Sequence, residues 1–336
     1  MTQKSHLARF GGVLAASTLL LTACGDDNAD GGDETEAEDV GTLDAEFVTI
    51  AAGGSSGPYY QIGATMADML ADDLDSDTSV QATGASAENI NMIADDDAEL
   101  AFVMGDAAVQ ATEGTGPFED DPRDDLMAIM TMYPNTVQLV ATSASGIESV
   151  EDLEDANVAV GDVGSGVELN AQMVLEAHGI TYDDINEDYL SYEEATDQMA
   201  NGHIDAAFVT SGLPNPTLVE LGTNTDFTVV PIEGEGAEAL LDEHDFFSED
   251  VIPADTYDQD EDIPTVGVTN HLLVSSELSE EAAYDITAAF FEDLDRLHDS
   301  HAAAEQITLE SATEGLVVPL HPGAEQYFEE QGAETE

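Results

Sequence analysis

The sequence predicts an α/β protein whose folded part divides into two lobes around a cleft. Strand and helix patterns alternate from Ala45 to about Pro322, as expected for sheets covered by helices. One unit, a short apolar strand followed by a Gly/Ser-rich loop and a helix, occurs at 47–70 and again at 157–177. About 280 residues exceed what one core usually holds. We therefore expect two lobes whose strands end at a shared cleft, where ligands bind in such sheets.

The first unit begins with an apolar, β-branched strand at Phe47–Ile50. A loop of three glycines and two serines follows, and apolar residues then recur at helical spacing up to Leu70. Because the loop has little side-chain bulk, backbone N–H groups and the positive end of the helix dipole can reach a bound anion. The predicted ligand-binding residues here are Gly54, Ser55, Ser56, Gly57, Tyr59 and Tyr60.

The second unit repeats this pattern, with a strand at Asn157–Val160 and a helix that stops at Gly179. Its loop and the ends of neighbouring elements supply the other predicted ligand-binding residues, some of which serve equally well as ordinary turn, packing or helix-capping residues. Asp106 in particular suits either a substrate ammonium or a helix cap. These residues are Ser86, Asn89, Asp106, Tyr133, Gln138, Gly164, Ser165, Gly166, Val167, Thr210 and Ser211.

The remaining periodic segments complete the alternation of strands and helices. We expect the longest helix at Ser279–His298, with Ser279 as its cap. Further strands are predicted at 79–83, 100–104, 137–141, 204–209, 227–231 and 265–274, and further helices from Ser86, at 149–153 and at 193–199.

The chain opens with a predicted lipoprotein signal peptide at 1–23. Two basic residues precede a short apolar run, which ends in the pattern Leu-Thr-Ala-Cys24. This pattern resembles a bacterial lipobox, so Cys24, the single cysteine, is predicted to carry lipid and to anchor the protein to the bilayer. The alternative is a secretory peptide followed by an incidental cysteine. Residues 24–44 are acidic, poor in apolar side chains, and predicted to form a disordered tether.

The composition is strongly acidic, with 74 Asp and Glu against 4 Lys and Arg and a formal net charge of −70. The acids are spread through segments with apolar periodicity, which favours a folded domain in a high-salt environment, where charge repulsion is screened. Nucleic acid is excluded as a partner, because phosphate contacts need cations. Beyond Cys24 only Arg123 and Arg296 are basic. A bound anion would therefore depend on helix N-termini, backbone N–H groups and hydroxyls, unless the ligand is not anionic.

Motifs spread over most of 47–332 together resemble the TAXI family of solute receptors for TRAP transporters. Two positions depart from the family pattern: Pro58 and Val167 stand where the family usually or often has threonine, which puts the usual ligand in doubt. The matching segments are Gly53–Gly57 with Tyr59 and Tyr60, Thr83–Asn89, Leu100–Val103 with Asp106, Leu126–Leu139, Ser145–Leu153, Val160–Gly161, Gly164–Gly166 with Asn170, Ile204–Phe208, Ile252–Tyr257 and Leu316–Ala324.

The resemblance implies a periplasmic-binding-protein fold of type II, with two hinge strands between the lobes. We expect lobe 1 at 45–137 and 259–330, and lobe 2 at 138–258. It also implies an extracytoplasmic receptor without enzymatic activity or cofactor. Such a receptor captures a small carboxylate or amino acid, glutamate-like in characterised relatives, and delivers it to a TRAP permease driven by an ion gradient.

Other classes of function fit the sequence less well than a receptor does. Gly53–Gly57 also satisfies G-x-S-x-G, the nucleophile elbow of serine hydrolases. Against this, the loop follows the first strand of the folded chain, so no earlier strand or loop supplies part of the oxyanion hole. A structural surface protein is disfavoured by the repeated strand–loop–helix unit. His298 and His301 could ligate a metal, but exposed histidines among carboxylates suffice to explain them, and no metal is predicted.

Overall fold

The computed structural model describes residues 47–74, 76–119 and 121–335. The predicted signal peptide, the lipidation site at Cys24 and the tether lie outside these residues. Among the helices of the described part, none combines the length and apolar character needed to cross a bilayer.

The first sheet has five strands in the order β2-β1-β3-β12-β4. β1, β2 and β3 are parallel, and β12 runs antiparallel to both of its neighbours. The carboxyl ends of β1, β3 and β4 therefore lie at one edge. The strands are β1 (Phe47–Ala51), β2 (Asp77–Gln81), β3 (Leu100–Met104), β4 (Leu126–Thr131) and β12 (Asn270–Ser275).

The second sheet has seven strands in the order β10-β11-β5-β8-β6-β7, with β9 paired to β5. β6 is parallel to β7 and β8, and β8 is antiparallel to β5. These strands are β5 (Asn135–Thr142), β6 (Asn157–Ala159), β7 (Asn186–Asp188), β8 (Ala206–Ser211), β9 (Phe227–Val230), β10 (Phe247–Ile252) and β11 (Ile263–Val268).

Helices cover both sheets, and each sheet with its helices is called a lobe here. The ten α-helices of the described residues are α1 (Pro58–Leu74), α2 (Ser86–Ala94), α3 (Gly105–Glu113), α4 (Gly166–Ala177), α5 (Tyr192–Ala200), α6 (Pro216–Gly222), α7 (Gly234–Glu243), α8 (Glu280–Glu292), α9 (Leu294–His298) and α10 (Pro322–Gln331).

Successive residues along a strand of the first sheet pack into two separate cores, one on each face of the sheet. In β3, Leu100 and Phe102 pack with α1, α8 and α10, whereas Ala101 and Val103 pack with α2 and α3 on the other face. This follows from the period of two that places successive strand side chains on opposite faces. The predicted apolar stripe of α1, which includes Ile62 and Met66, is fully buried in the first of these cores. Both faces of the sheet are thus closed by helices.

The chain crosses between the lobes twice, at 132–134 and at Thr269. The two crossings touch, because the Met132 N–H donates to the Asn270 carbonyl at 2.8 Å. As a result β12, the strand after the return crossing, lies between β3 and β4. This strand order is that of the type II periplasmic-binding-protein fold, as predicted. The expected lobe boundaries differ from the crossings, since β11 pairs in the second sheet although 259 onward was assigned to lobe 1.

Two predicted elements were wrong as continuous segments. The strand expected at 265–274 is β11 and β12, which belong to different sheets and are separated by Thr269 alone. The crossing is a single residue with apolar residues on both sides of it, so the segment reads as one strand. The helix expected at 279–298 breaks at Asp293, which has φ −125° and ψ 47°. α1, with 17 residues, is therefore longer than α8.

Candidate functional site

A cavity of about 60 Å³ lies between the lobes, where loops at strand ends of both sheets meet. Lobe 1 supplies the loop after β1 and the segment 83–85, and lobe 2 supplies the loop after β6, the start of α5 and the end of β8. Tyr133 and Asn135 enter from the first crossing. The cavity is small, but it has room for more than one buried water.

The two Gly/Ser loops are shaped by local backbone requirements. In the first, the Gly57 N–H donates to the Gly54 carbonyl at 2.9 Å, and Pro58 then begins α1, a position where a missing N–H costs nothing. In the second, Gly161 has φ 100°, and a Cβ there would lie 2.8 Å from Val167 Cβ. Such a conformation and such a close approach both require glycine.

Ser165 directly precedes α4 and caps its N-terminus. Its Oγ accepts a hydrogen bond from the Glu168 N–H at 3.1 Å, which satisfies one of the free amides of the helix start. A hydroxyl that accepts in this way still has its own hydrogen to donate. Ser165 is buried and lines the cavity.

Three polar atoms of the cavity wall have no hydrogen-bond partner within the described residues. They are Tyr133 Oη, Asn135 Oδ1 and Thr210 Oγ1. Tyr133 and Asn135 are 0% exposed and Thr210 is 1% exposed. A buried polar atom left unpaired costs about 1–3 kcal/mol, so a molecule bound in the cavity would gain free energy by pairing with these atoms.

Tyr59 joins the first lobe to the cavity wall. Its ring stacks on Phe102, with centroids 4.8 Å apart, and its hydroxyl accepts a hydrogen bond from Asn135 Nδ2 at 2.6 Å. Burial raises the pKa of both Tyr59 and Tyr133 well above the usual value, so both hydroxyls stay protonated and able to donate. Asn135 is thereby fixed with its amide nitrogen on Tyr59, which leaves its carbonyl oxygen for another donor.

Asp162 is the one acidic side chain among the described residues that line the cavity, and no Lys, Arg or His lies among them. Its pKa is raised, first by burial and then by the nearby Glu194 and Glu88 carboxylates. Arg123 is paired with Asp121 at 3.0 Å, and Arg296 with Asp72 at 2.9 Å, away from the cavity. The cavity wall therefore has a negative electrostatic character.

The predicted ligand-binding residues divide into two groups. Those that line the cavity are, from lobe 1 and the crossing, Gly54, Ser56, Gly57, Tyr59 and Tyr133. From lobe 2 they are Ser165, Val167, Thr210 and Ser211. Ser55 is exposed and lies outside the lining, as do Gly164 and Gly166 within the second loop, and Tyr60 packs against the core of lobe 1.

The side chains of Asn89 and Ser86 form hydrogen bonds to backbone groups of lobe 1. Asn89 Nδ2 donates to the carbonyls of Ala52 at 2.6 Å and Phe102 at 2.7 Å, and Ser86 Oγ accepts from the Met104 N–H at 3.1 Å. Both side chains are 0% exposed and fasten α2 to the ends of β1 and β3. Their part in forming the cavity is to hold these strand ends in place.

Asp106 connects the lobes, rather than lining the cavity. It lies in the first turn of α3, and its Oδ2 accepts a hydrogen bond from Asn170 Nδ2 of α4 at 2.9 Å. Both side chains are 0% exposed, and Asp106 Oδ1 and Asn170 Oδ1 have no partner within the described residues. Burial raises the pKa of Asp106 to about 7.

Gln138 lies one layer behind the cavity. Its Nε2 donates to Ser211 Oγ at 3.1 Å, and its Oε1 accepts from the Tyr257 hydroxyl at 2.6 Å. Ser211 does line the cavity, so Gln138 orients a wall residue.

Several lining residues were missed by the sequence prediction, among them Thr83, Asn135, Asp162 and Tyr192. Asp162 and Asn135 each stand next to predicted residues, in the second Gly/Ser loop and after Tyr133-Pro134, so extending those motifs by one or two positions would have found them. Tyr192 carries no such signal. It reaches the cavity because α5 starts there, and its hydroxyl donates to the Thr210 carbonyl at 2.7 Å.

The described residues contain no group of three or more His, Cys, Asp or Glu side chains arranged to hold a metal ion.

The fold and the cavity define a two-lobed type II α/β protein with a pocket between its lobes. The chain belongs to the NMT1-like family, whose model matches residues 50–332. A protein from Bordetella bronchiseptica RB50 has a similar structure, with 14% identity, 77% of each chain covered and a TM-score of 0.54. At this identity the similarity supports the fold alone.

Two further solved structures are more distant. The periplasmic aliphatic sulphonate binding protein SsuA from Escherichia coli has 14% identity over 85% of this chain and 83% of its own, with a TM-score of 0.44. PhnD1 from Prochlorococcus marinus, in complex with methylphosphonate, has 11% identity over 86% and 91%, with a TM-score of 0.49.

Proposed function

We propose that this protein is an extracytoplasmic solute receptor that binds a small carboxylate or amino acid between its lobes and delivers it to a membrane transporter. Capture takes place in an open cleft, the lobes close over the solute, and the transporter recognises the closed form. The protein makes and breaks no covalent bond in this process.

The observation that carries the proposal is the set of three unpartnered, buried polar atoms on one small cavity: Tyr133 Oη, Asn135 Oδ1 and Thr210 Oγ1. Such atoms are normally paired in folded proteins, and their grouping on a mostly apolar wall is typical of a ligand pocket. Two hydroxyls can donate to a carboxylate, and the amide oxygen can accept from an ammonium or hydroxyl.

The transporter is, in this proposal, a TRAP-type permease driven by an ion gradient. Support comes from the ordered motifs shared with the TAXI receptors, which cover most of the folded chain. Lipid on Cys24 would hold the receptor at the outer face of the cytoplasmic membrane, tethered by 24–44. In vesicles that carry the permease, solute uptake should follow the ion gradient and persist when ATP is depleted.

A serine hydrolase is not supported by the surroundings of Ser55. This serine is exposed, and its hydroxyl makes no hydrogen bond to a histidine within the described residues. A nucleophile of that class needs a base within hydrogen-bond reach.

The test is calorimetric titration with amino acids and mono- and dicarboxylates in molar KCl, on the wild type and on Thr210→Val. We expect the wild-type protein to bind at least one of these compounds. Thr210→Val should bind the same compound with an affinity about tenfold lower, because loss of one hydrogen bond in a dry pocket costs about 1.4 kcal/mol. Thr217→Val is the matched control, because Thr217 Oγ1 is also buried and unpartnered but lies outside the cavity lining. No binding by any compound, or equal losses in both variants, would contradict the proposal.

A further inference from the structure

This inference rests on the receptor function proposed above. The charge and hydrogen-bonding pattern of the cavity wall then decides whether the solute is an anion or carries an ammonium group. A small carboxylate needs donors and tolerates little negative charge nearby, whereas an ammonium needs acceptors and a negative surface. The residues of the wall can be compared with these two requirements.

The cavity wall carries hydrogen-bond acceptors that an anion, itself an acceptor, cannot pair with. Asn135 Oδ1 can only accept, and it has no partner among the described residues, whereas Asn135 Nδ2 is already bonded to the Tyr59 hydroxyl. The Asp162 carboxylate is half-buried on the same wall and accepts no hydrogen bond from the described residues. Each of these oxygens lacks a donor, and one carries a full negative charge.

The rim of the cavity adds two more carboxylates. Glu88 accepts from the Gly84 N–H at 2.6 Å, and Glu194 accepts from the Ser191 hydroxyl at 2.9 Å; Gly84 and Ser191 both line the cavity. Both glutamates lie close enough to Asp162 to raise its pKa. Glu88 and Glu194 are exposed and screened in molar salt, so the half-buried Asp162 carboxylate is the charge that a bound anion meets, with no cationic side chain among the described lining residues to offset it.

We infer that the bound solute carries a protonated amine and no net negative charge, with the ammonium held by the Asp162 carboxylate and Asn135 Oδ1. Tyr133 Oη and Thr210 Oγ1, which both donate and accept, then bind whatever polar group the remainder of the solute carries. The size of the cavity restricts the solute to a short one, and an acidic amino acid, with its second carboxylate, is excluded by the same charges.

The experiment uses two trios of compounds in calorimetric titrations at pH 7 in molar KCl: alanine, propionate and propylamine, and glutamate, glutarate and 5-aminopentanoate. We expect binding by at least one amine-bearing compound without net negative charge, and none by propionate, glutarate or glutamate. Asp162→Asn should weaken that binding tenfold or more and leave the fold intact, because the residue lies in a partly exposed loop. Asp242→Asn, an exposed acid on α7, is the control with the same change of charge.

Binding of propionate, glutarate or glutamate more tightly than their uncharged or cationic counterparts would overturn the inference and leave the receptor proposal standing. So would an Asp162→Asn variant with unchanged amine affinity. Absence of binding by every compound of both panels would instead reject the receptor proposal together with this inference. A merely structural role of Asp162 is separated by thermal unfolding of the variant in the same buffer, because misfolding lowers both the melting temperature and the affinity, whereas loss of the charge lowers the affinity alone.

Discussion

Replacing Asp106 with asparagine is expected to stabilise the protein by about 2–4 kcal/mol at pH 8 and to change its stability little at pH 4. Asp106 and Asn170 form the buried interlobe pair, and each has an oxygen without a partner within the described residues. With Asp106 ionised, these two oxygens are both acceptors. An asparagine at 106 keeps the bond to Asn170 Nδ2 and has an N–H of its own to offer to Asn170 Oδ1.

The pH dependence follows from the raised pKa of Asp106. Burial raises this pKa from 3.8 to about 7, so between these values the folded protein holds a proton that the unfolded chain releases. Stability therefore falls as pH rises through this window, and the full cost is present above pH 7. A difference of about three pKa units corresponds to about 4 kcal/mol.

The measurement is denaturant unfolding of the wild type and the Asp106→Asn variant from pH 4 to pH 8 in molar salt. The difference in the free energy of unfolding should grow steadily with pH. Asp242→Asn, which removes an exposed carboxylate, should show no such growth. If the Asp106→Asn variant were less stable than the wild type at pH 8, the interlobe pair would have a different protonation from the one inferred here.

Replacing Asn89 with alanine is expected to destabilise the protein by about 3–5 kcal/mol. The Asn89 amide is buried between strand ends and donates to the carbonyls of Ala52 and Phe102, while its oxygen accepts from the Thr83 hydroxyl at 2.6 Å. Removal leaves two buried carbonyls unpaired, at about 1–3 kcal/mol each, and opens a small cavity.

Asn91→Ala provides the matched control on the same helix. Asn91 is exposed, and its side-chain oxygen accepts from Arg123 at 2.9 Å, so we expect a change within about 0.5 kcal/mol. Urea unfolding in molar salt measures both variants. A loss below about 1 kcal/mol for Asn89→Ala would show that the strand ends are held by other contacts.

Local periodicity was enough to predict most strands and helices of the two lobes, because the apolar pattern of each element lies within a short segment. The stripe of Ile62 and Met66 in α1 and the strand at β3 are examples. The crossing at Thr269 could not be predicted in the same way. Thr269 separates two largely buried strands that belong to different sheets, and this difference is set by long-range pairing with β5 and β3.

Residues that line the cavity could be predicted where they belong to a loop motif. They were missed where the fold brings them to the cavity from distant segments. The Gly/Ser loops were found, and Ser56 and Ser165 line the cavity. Asn89 and Asp106 belong to the same motifs, but their side chains turn to the backbone and to the other lobe. Tyr192 reaches the cavity from α5, because the ends of α5 and β8 meet, a contact that no local pattern encodes.

The most direct test is a crystal structure of the protein with the tightest solute from the calorimetric panels. The central claim is that the solute lies between the lobes and is held without a cationic side chain. We predict polar atoms of the solute within hydrogen-bond distance of Tyr133 Oη, Asn135 Oδ1 and Thr210 Oγ1. A solute bound outside this cavity, or paired with Arg123 or Arg296, would contradict the claim.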